Sequence, residues 1–204
     1  DISREEDWGF LVEKIGNTVW QETIGVCIGY ANRQVATEII EKTLEKGVRE
    51  NEEKKYLFLA IEYLGGAIEV NQEIRNQIEN EVAHLIPPSM HEGVELAKAG
   101  ELVVPYLENQ EWYYLDEKIA CLQVLRMVGT VKVLEISKTY FNEVLSASEI
   151  VELAELYEQF TRKELVEAGI PKLIKTYIEN VCMSTVTLHN EFIKILKLSS
   201  KGMD

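Results

Sequence analysis

The chain has 204 residues, of which 46% are hydrophobic, and its formal net charge at pH 7 is -14. This hydrophobic content is enough for a sizeable core, whereas the acidic balance argues against a nucleic-acid partner, because phosphate binding requires clustered Lys and Arg. No apolar run approaches the length of about 18 residues that a membrane span needs, so no membrane partner is expected either.

The first predicted helices lie between Phe10 and Gly47. Asn17 is a suitable N-cap for a helix with apolar residues at helical spacing, which are Val19, Trp20, Ile24, Cys27 and Ile28. A partner helix follows, and we expect it to end at Lys46-Gly47, since glycine commonly terminates helices.

A second pair follows the first along the chain. It is predicted at Tyr56–Leu64 and in a helix capped by Asn71, which Pro87-Pro88 ends. A weaker pair is expected at Met90–Ala99 and Glu101–Glu108. We expect the repeat geometry to break between Met90 and Tyr114.

The clearest helix pair runs from Asp116 to Val144, and we expect the most regular geometry there. Ser146 or Ser148 should cap the next helix, which extends to Phe160, and Pro171 opens a helix that runs to Glu179. From Val181 onward the residue pattern is no longer that of the preceding helix pairs. Ser184–Leu188 has strand-like alternation, and the segment from Ile193 to Met203 fits either a leucine-rich repeat or a last helix, Asn190–Leu198.

These helix pairs repeat with a regular period. The glycines that close the apolar segments, Gly29, Gly65, Gly100 and Gly129, are spaced by 36, 35 and 29 residues, and a fifth copy without the glycine is expected at Ile150–Phe160. One helix pair per such period is typical of HEAT repeats. The predicted fold is therefore all-α, a HEAT-like α-solenoid of about five helix pairs over residues 1–180, with a C-terminal extension at 181–204.

The sequence contains no motif for nucleotide or catalytic chemistry. The loop G-x-x-x-x-G-K-[ST] is absent, as are H-E-x-x-H, C-x-x-C and G-x-S-x-G. Glu81 and His84 are half of a di-iron pattern, which needs a second copy, and His91 adds no third strong ligand. We expect neither a cofactor nor an enzyme. A HEAT-like lyase or a metal-dependent all-α enzyme using these three residues is the catalytic alternative.

Protein binding is the function that the sequence favours. The aromatic run Trp112-Tyr113-Tyr114 is the strongest candidate surface, because Trp and Tyr are enriched at interface hot spots. Packing between repeats would instead leave only one of these rings exposed. Trp8 and Trp20 are expected either in the core or where an upstream domain docks. Cys27, Cys121 and Cys182 are set among aliphatic residues, which indicates core thiols of a reducing, cytoplasmic compartment.

The N-terminal run Trp20-Gln21-Glu22-Thr23-Ile24-Gly25-Val26-Cys27-Ile28-Gly29 resembles the W-x-E-x-I-x-x-x-x-G helix that follows the ATPase region in NACHT-type STAND NTPases. Leu57–Leu64 and the Leu85–Pro88 stop are also similar to that family's helical repeats. The ATPase motifs of the family are missing. The resemblance implies a sensor or autoregulatory region of a larger cytoplasmic signalling ATPase, often one in innate defence, whose partner is a ligand protein or its own upstream domain. A free-standing HEAT-repeat scaffold is the alternative.

Overall fold

In the computed structural model, which describes residues 8–180 and Ile193, all regular secondary structure is helical. The all-α class is therefore confirmed for this part of the chain. The predicted strand at Ser184–Leu188 and the leucine-rich frame or last helix beyond it lie outside the described residues, Ile193 excepted. By their contacts the residues form two compact units, 1–85 with 98–103, and 86–97 with 104–204.

From residue 8 onward, the first unit contains five α-helices and a 3-10 turn. They are α1 (Trp8–Lys14), α2 (Thr18–Tyr30), α3 (Arg33–Glu50), α4 (Glu53–Gly66), α5 (Gln72–His84) and the turn Gly100–Leu102. The predicted caps are confirmed, since Asn17 accepts a hydrogen bond from the Val19 amide at 3.0 Å and Asn71 accepts one from the Glu73 amide at 2.9 Å. α4 packs against both α2 and α3.

The predicted end of α3 at Gly47 is wrong. The helix continues to Glu50 and ends at Asn51, which has a left-handed φ of 56°. Gly47 is buried, and a Cβ there would lie 2.9 Å from the Cβ of Tyr56 in α4. This glycine therefore allows two helices to approach closely and does not stop one of them.

The four glycines of the predicted period have two different roles. Gly29 and Gly65 lie inside the last turns of α2 and α4, whereas Gly100 and Gly129 adopt left-handed φ angles of 59° and 60°. A Cβ at Gly65 would collide with the backbone of Ala99. Gly129 thus ends the helix Leu115–Val128 through its conformation, Gly100 opens the turn Gly100–Leu102, and Gly65 is required by packing.

Up to residue 180, the second unit contains six α-helices and two 3-10 turns. In chain order they are α6 (Met90–Ala97), the turn Val104–Leu107, α7 (Leu115–Val128), α8 (Lys132–Ser137), the turn Lys138–Asn142, α9 (Ala147–Tyr157), α10 (Arg162–Glu167) and α11 (Ile170–Asn180). α7 lies at the centre of this unit and contacts α6, α8 and α9. Its inner face is fully buried.

Two predictions about regularity have opposite outcomes. The expected break between Met90 and Tyr114 is confirmed, because the predicted helix Glu101–Glu108 is replaced by two 3-10 turns. The expected regularity of Asp116–Val144 is wrong in its second half, where α8 has only six residues and tightens into a 3-10 turn. The hydroxyls of Ser137 and Thr139 donate to carbonyls three residues earlier, which favours the tighter turn.

The boundaries of the later helices follow local signals. Ser146, and not Ser148, is the N-cap of α9, and it exchanges hydrogen bonds with Glu149 in a capping box. This helix ends at Tyr157, before the predicted Phe160. Pro171 lies in the first turn of α11, as expected.

Candidate functional site

The aromatic run lies in the segment 108–114, called the aromatic loop here, which connects the turn Val104–Leu107 to α7. Trp112 is 74% exposed and Tyr114 is 75% exposed, whereas Tyr113 is half-buried. The Trp112 and Tyr113 rings meet edge to face, with centroids 6.2 Å apart. Packing that leaves one ring exposed is therefore not what the structure shows, because two of the three rings face solvent.

Hydrogen bonds hold the backbone of the aromatic loop at both ends. At its start, the Asn109 amide donates to Thr139 Oγ1 at 2.9 Å. At its end, the Tyr114 amide donates to Glu117 Oε2 at 2.7 Å. The two ends of the loop are thus anchored to Thr139 and to α7.

A buried ion pair supports the same loop from below. Lys118 Nζ lies 2.6 Å from Glu143 Oε2, and the lysine side chain is only 9% exposed. The other oxygen of Glu143 accepts a hydrogen bond from Asn109 Nδ2 at 3.2 Å. Removal of Glu143 would leave the buried ammonium of Lys118 without its counterion, which is costly, so the pair joins α7, the aromatic loop and Glu143.

Tyr114 occupies the N-cap position of α7, where its backbone amide is bonded to the Glu117 carboxylate. Ser, Thr, Asp or Asn would stabilise the helix better at this position. An exposed aromatic ring at a site that favours a small polar residue is consistent with a binding role.

Burial makes the ionisable groups behind the loop harder to ionise. Burial raises the pKa of the Cys121 thiol to about 12, so it remains protonated and is a poor nucleophile. Burial likewise raises the pKa of Tyr113, with smaller contributions from Cys121 and Glu117. The hydroxyl of Tyr140, which is completely buried, donates to the Leu107 carbonyl at 2.9 Å.

The remaining predicted site residue, Trp8, begins α1 in the first unit and is half-buried. Trp20 is also half-buried and stacks edge to face on Phe10, with centroids 5.2 Å apart. Neither tryptophan is a fully buried core residue. Cys27 is half-buried, Cys121 is buried, and Cys182 lies outside the described residues.

The residues of the catalytic alternative do not form a site in the described part of the chain. Glu81, His84 and His91 are all exposed. Within residues 8–180 no three His, Cys, Asp or Glu side chains come together in a way that would hold a metal ion.

Sequence reasoning missed a groove that opens among α6, α7 and α9. It has a volume of about 790 Å³, and its apolar lining is Met90, Leu115, Ile119, Ala147 and Val151. Leu115 follows Tyr114 directly, so the groove starts where the aromatic loop ends. No single segment of the sequence marks this groove, because its lining comes from three helices.

No protein-family model, curated protein or solved structure matches the chain. The resemblance to NACHT-type STAND NTPases therefore rests on the sequence motifs alone. Across the described residues, every helix is too short or too polar to cross a membrane.

Proposed function

We propose that this chain is a non-catalytic protein-interaction module and that Trp112 and Tyr114 contact the partner. The observation that carries the proposal is the presentation of two exposed aromatic rings by a loop whose two ends are anchored by hydrogen bonds. A preorganised loop loses little conformational entropy on binding. Trp and Tyr supply large contact areas with few rotatable bonds.

The size of the two rings sets the strength of this contact. Buried aromatic side chains remove about 150–250 Å² each from water, and roughly three quarters of that area is still open at Trp112 and Tyr114. Covering both rings would contribute about 5–10 kcal/mol before the costs of association. Those costs are of similar size, so the partner must also contact neighbouring surface.

Quantitative capture with variants of the whole chain tests this function. The bait proteins are the wild type, a double variant with Trp112→Ala and Tyr114→Ala, and a control with Tyr30→Ala, an 87% exposed tyrosine in the first unit. We expect at least one protein of the native lysate to bind the wild type and the control equally. Its capture by the double variant should be at least tenfold lower. Equal capture by all three baits would contradict the proposal.

We also propose that the helix pairs are HEAT-like repeats stacked as an α-solenoid. Within the first unit, α3 and α4 form a hairpin joined by two residues, and within the second unit α8 follows α7 after three. Small-angle X-ray scattering tests the arrangement, because a compact domain of this length has a radius of gyration of about 17 Å. A solenoid should exceed that value clearly, and a value at or below it would contradict the arrangement.

The wider proposal is that this module is a sensor or autoregulatory region of a larger cytoplasmic signalling ATPase of the NACHT-type STAND class. It is supported by the run from Trp20 to Gly29, which the structure contains within α2, with Ile24 fully buried. Addition of the chain in trans to the ATPase part of such a protein should change its rate of ATP hydrolysis. An unchanged rate together with no association would favour a free-standing scaffold.

A further inference from the structure

The groove beside the aromatic loop has an apolar floor that the described residues leave exposed. Met90 is 68% exposed, Leu115 is 49% exposed and Val151 is 43% exposed. Each lies on a different helix, α6, α7 and α9 respectively. Three large apolar side chains that converge on one groove are a typical feature of binding surfaces.

The spacing of the lining residues fits a helical ligand. Leu115 and Ile119 lie four residues apart on α7, and Ala147 and Val151 lie four residues apart on α9. Each pair forms a row along one helix face. A third helix that presents apolar anchors at i, i+3 or i+4 and i+7 can pack between two such rows.

The charge of the groove is negative. Asp116 and Glu152 line it, and its described lining includes no basic side chain; because Glu152 is only 15% exposed and lies 3.4 Å from Arg126, the uncompensated charge is that of Asp116. The two cations of α7 are already engaged, because Lys118 pairs with Glu143 and Arg126 is shared between Glu152 and Glu155. Asp116 is exposed and has no ion pair within the described residues. The groove therefore attracts a ligand with positive charge.

We propose that this groove binds an amphipathic helix of a partner protein, with its apolar face on Met90, Leu115 and Val151 and with Lys or Arg beside Asp116. This inference rests on the proposed function, since it names the partner class of the surface that begins at Tyr114. The helix supplies the additional contact area that the two exposed rings require.

The test uses the full chain and two fluorescent helical peptides of 18 residues, one of Leu and Lys and one of Leu and Glu, with the same apolar face. Fluorescence anisotropy at about 0.15 M salt measures their affinities. We expect the Lys peptide to bind at least tenfold more tightly than the Glu peptide. Equal affinities would overturn the charge requirement.

Matched variants place the binding in the groove. The double variant Leu115→Ser with Val151→Ser should weaken binding of the Lys peptide at least fivefold, whereas Val166→Ser, at a 53% exposed valine on α10, should leave it unchanged. Asp116→Asn should lower the preference for the Lys peptide, and Glu69→Gln, at an exposed carboxylate of the first unit, should not. Equal effects of Asp116→Asn and Glu69→Gln would mean attraction by the net charge alone, and would overturn the proposal.

Two other occupants would also overturn the proposal. If sedimentation shows a dimer that Leu115→Ser dissociates, the groove is an interface between copies of this chain. If Lys194→Glu with Lys197→Glu strengthens peptide binding tenfold, the chain's own basic, apolar segment at 192–198 occupies the groove. Loss of partner capture with the Trp112 and Tyr114 variants, but not with the groove variants, would reject the groove and leave the proposed function intact.

Discussion

We expect opposite changes in stability when each of two fully buried tyrosines is replaced by phenylalanine. The Tyr157 hydroxyl lies 3.0 Å from Ser137 Oγ, whereas the Tyr63 hydroxyl has no hydrogen-bond partner among the described residues. Burial raises the pKa of both phenols above the usual range, so both remain protonated. Replacement of each tyrosine by phenylalanine keeps the ring and removes only the hydroxyl.

The expected magnitudes follow from the partners. A typical buried hydrogen bond contributes about 1 kcal/mol, and a buried polar group without one costs about 1–3 kcal/mol. Tyr157→Phe should lower the free energy of unfolding by about 1 kcal/mol, because Ser137 keeps its bond to the Leu134 carbonyl at 2.9 Å. Tyr63→Phe should leave the free energy of unfolding unchanged or raise it by about 1 kcal/mol.

Urea unfolding followed by far-ultraviolet circular dichroism measures both values. The transitions should move in opposite directions, to a lower midpoint for Tyr157→Phe and to an equal or higher one for Tyr63→Phe. If Tyr63→Phe destabilises the protein as much as Tyr157→Phe does, the Tyr63 hydroxyl makes a hydrogen bond and the expectation is wrong.

Three further substitutions probe ion pairing, acid stability and close packing. Lys118→Met should lower the free energy of unfolding by about 1–2 kcal/mol, which is less than for a fully buried pair because the Glu143 carboxylate is 34% exposed. Urea unfolding measures this free energy, and an unchanged value would contradict a structural role of Lys118. The hydrogen bond from the Tyr56 hydroxyl lowers the pKa of Glu50. The ionised Glu50 therefore stabilises the fold above its unfolded pKa, and this stabilisation is lost as pH falls through the folded pKa. Tyr56→Phe should show a smaller loss of stability than wild type between about pH 6 and pH 3. Gly65→Ala should lower the melting temperature, because its Cβ meets a backbone carbonyl that cannot move cheaply, while Gly66→Ala, with 3.7 Å to its nearest neighbour, should be tolerated.

Local features of the fold were predictable from the sequence. Asn17 and Asn71 cap helices by accepting hydrogen bonds from amides two residues away, and such contacts depend only on residues that are close in sequence. Apolar spacing likewise identified the helical class. The exact end of α3 was not predictable, because Gly47 is selected by contact with a different helix.

The candidate site was predictable only in part. The aromatic run was identified from residue type, but the start of its loop is bonded to Thr139 and Glu143, about 30 residues away. The burial of Lys118 has the same origin, since its partner comes from another part of the chain. The groove requires three helices to converge, and no single segment encodes it.

The most direct test of the interaction function is site-specific photo-crosslinking in cells that produce the chain naturally. A photoreactive phenylalanine analogue replaces Trp112 in one protein and Tyr30, in the first unit, in another. We expect position 112 to crosslink to a defined protein and position 30 not to do so. Tyr114→Ala should abolish the crosslinked product at position 112. The same products at both positions, or none at position 112, would contradict it.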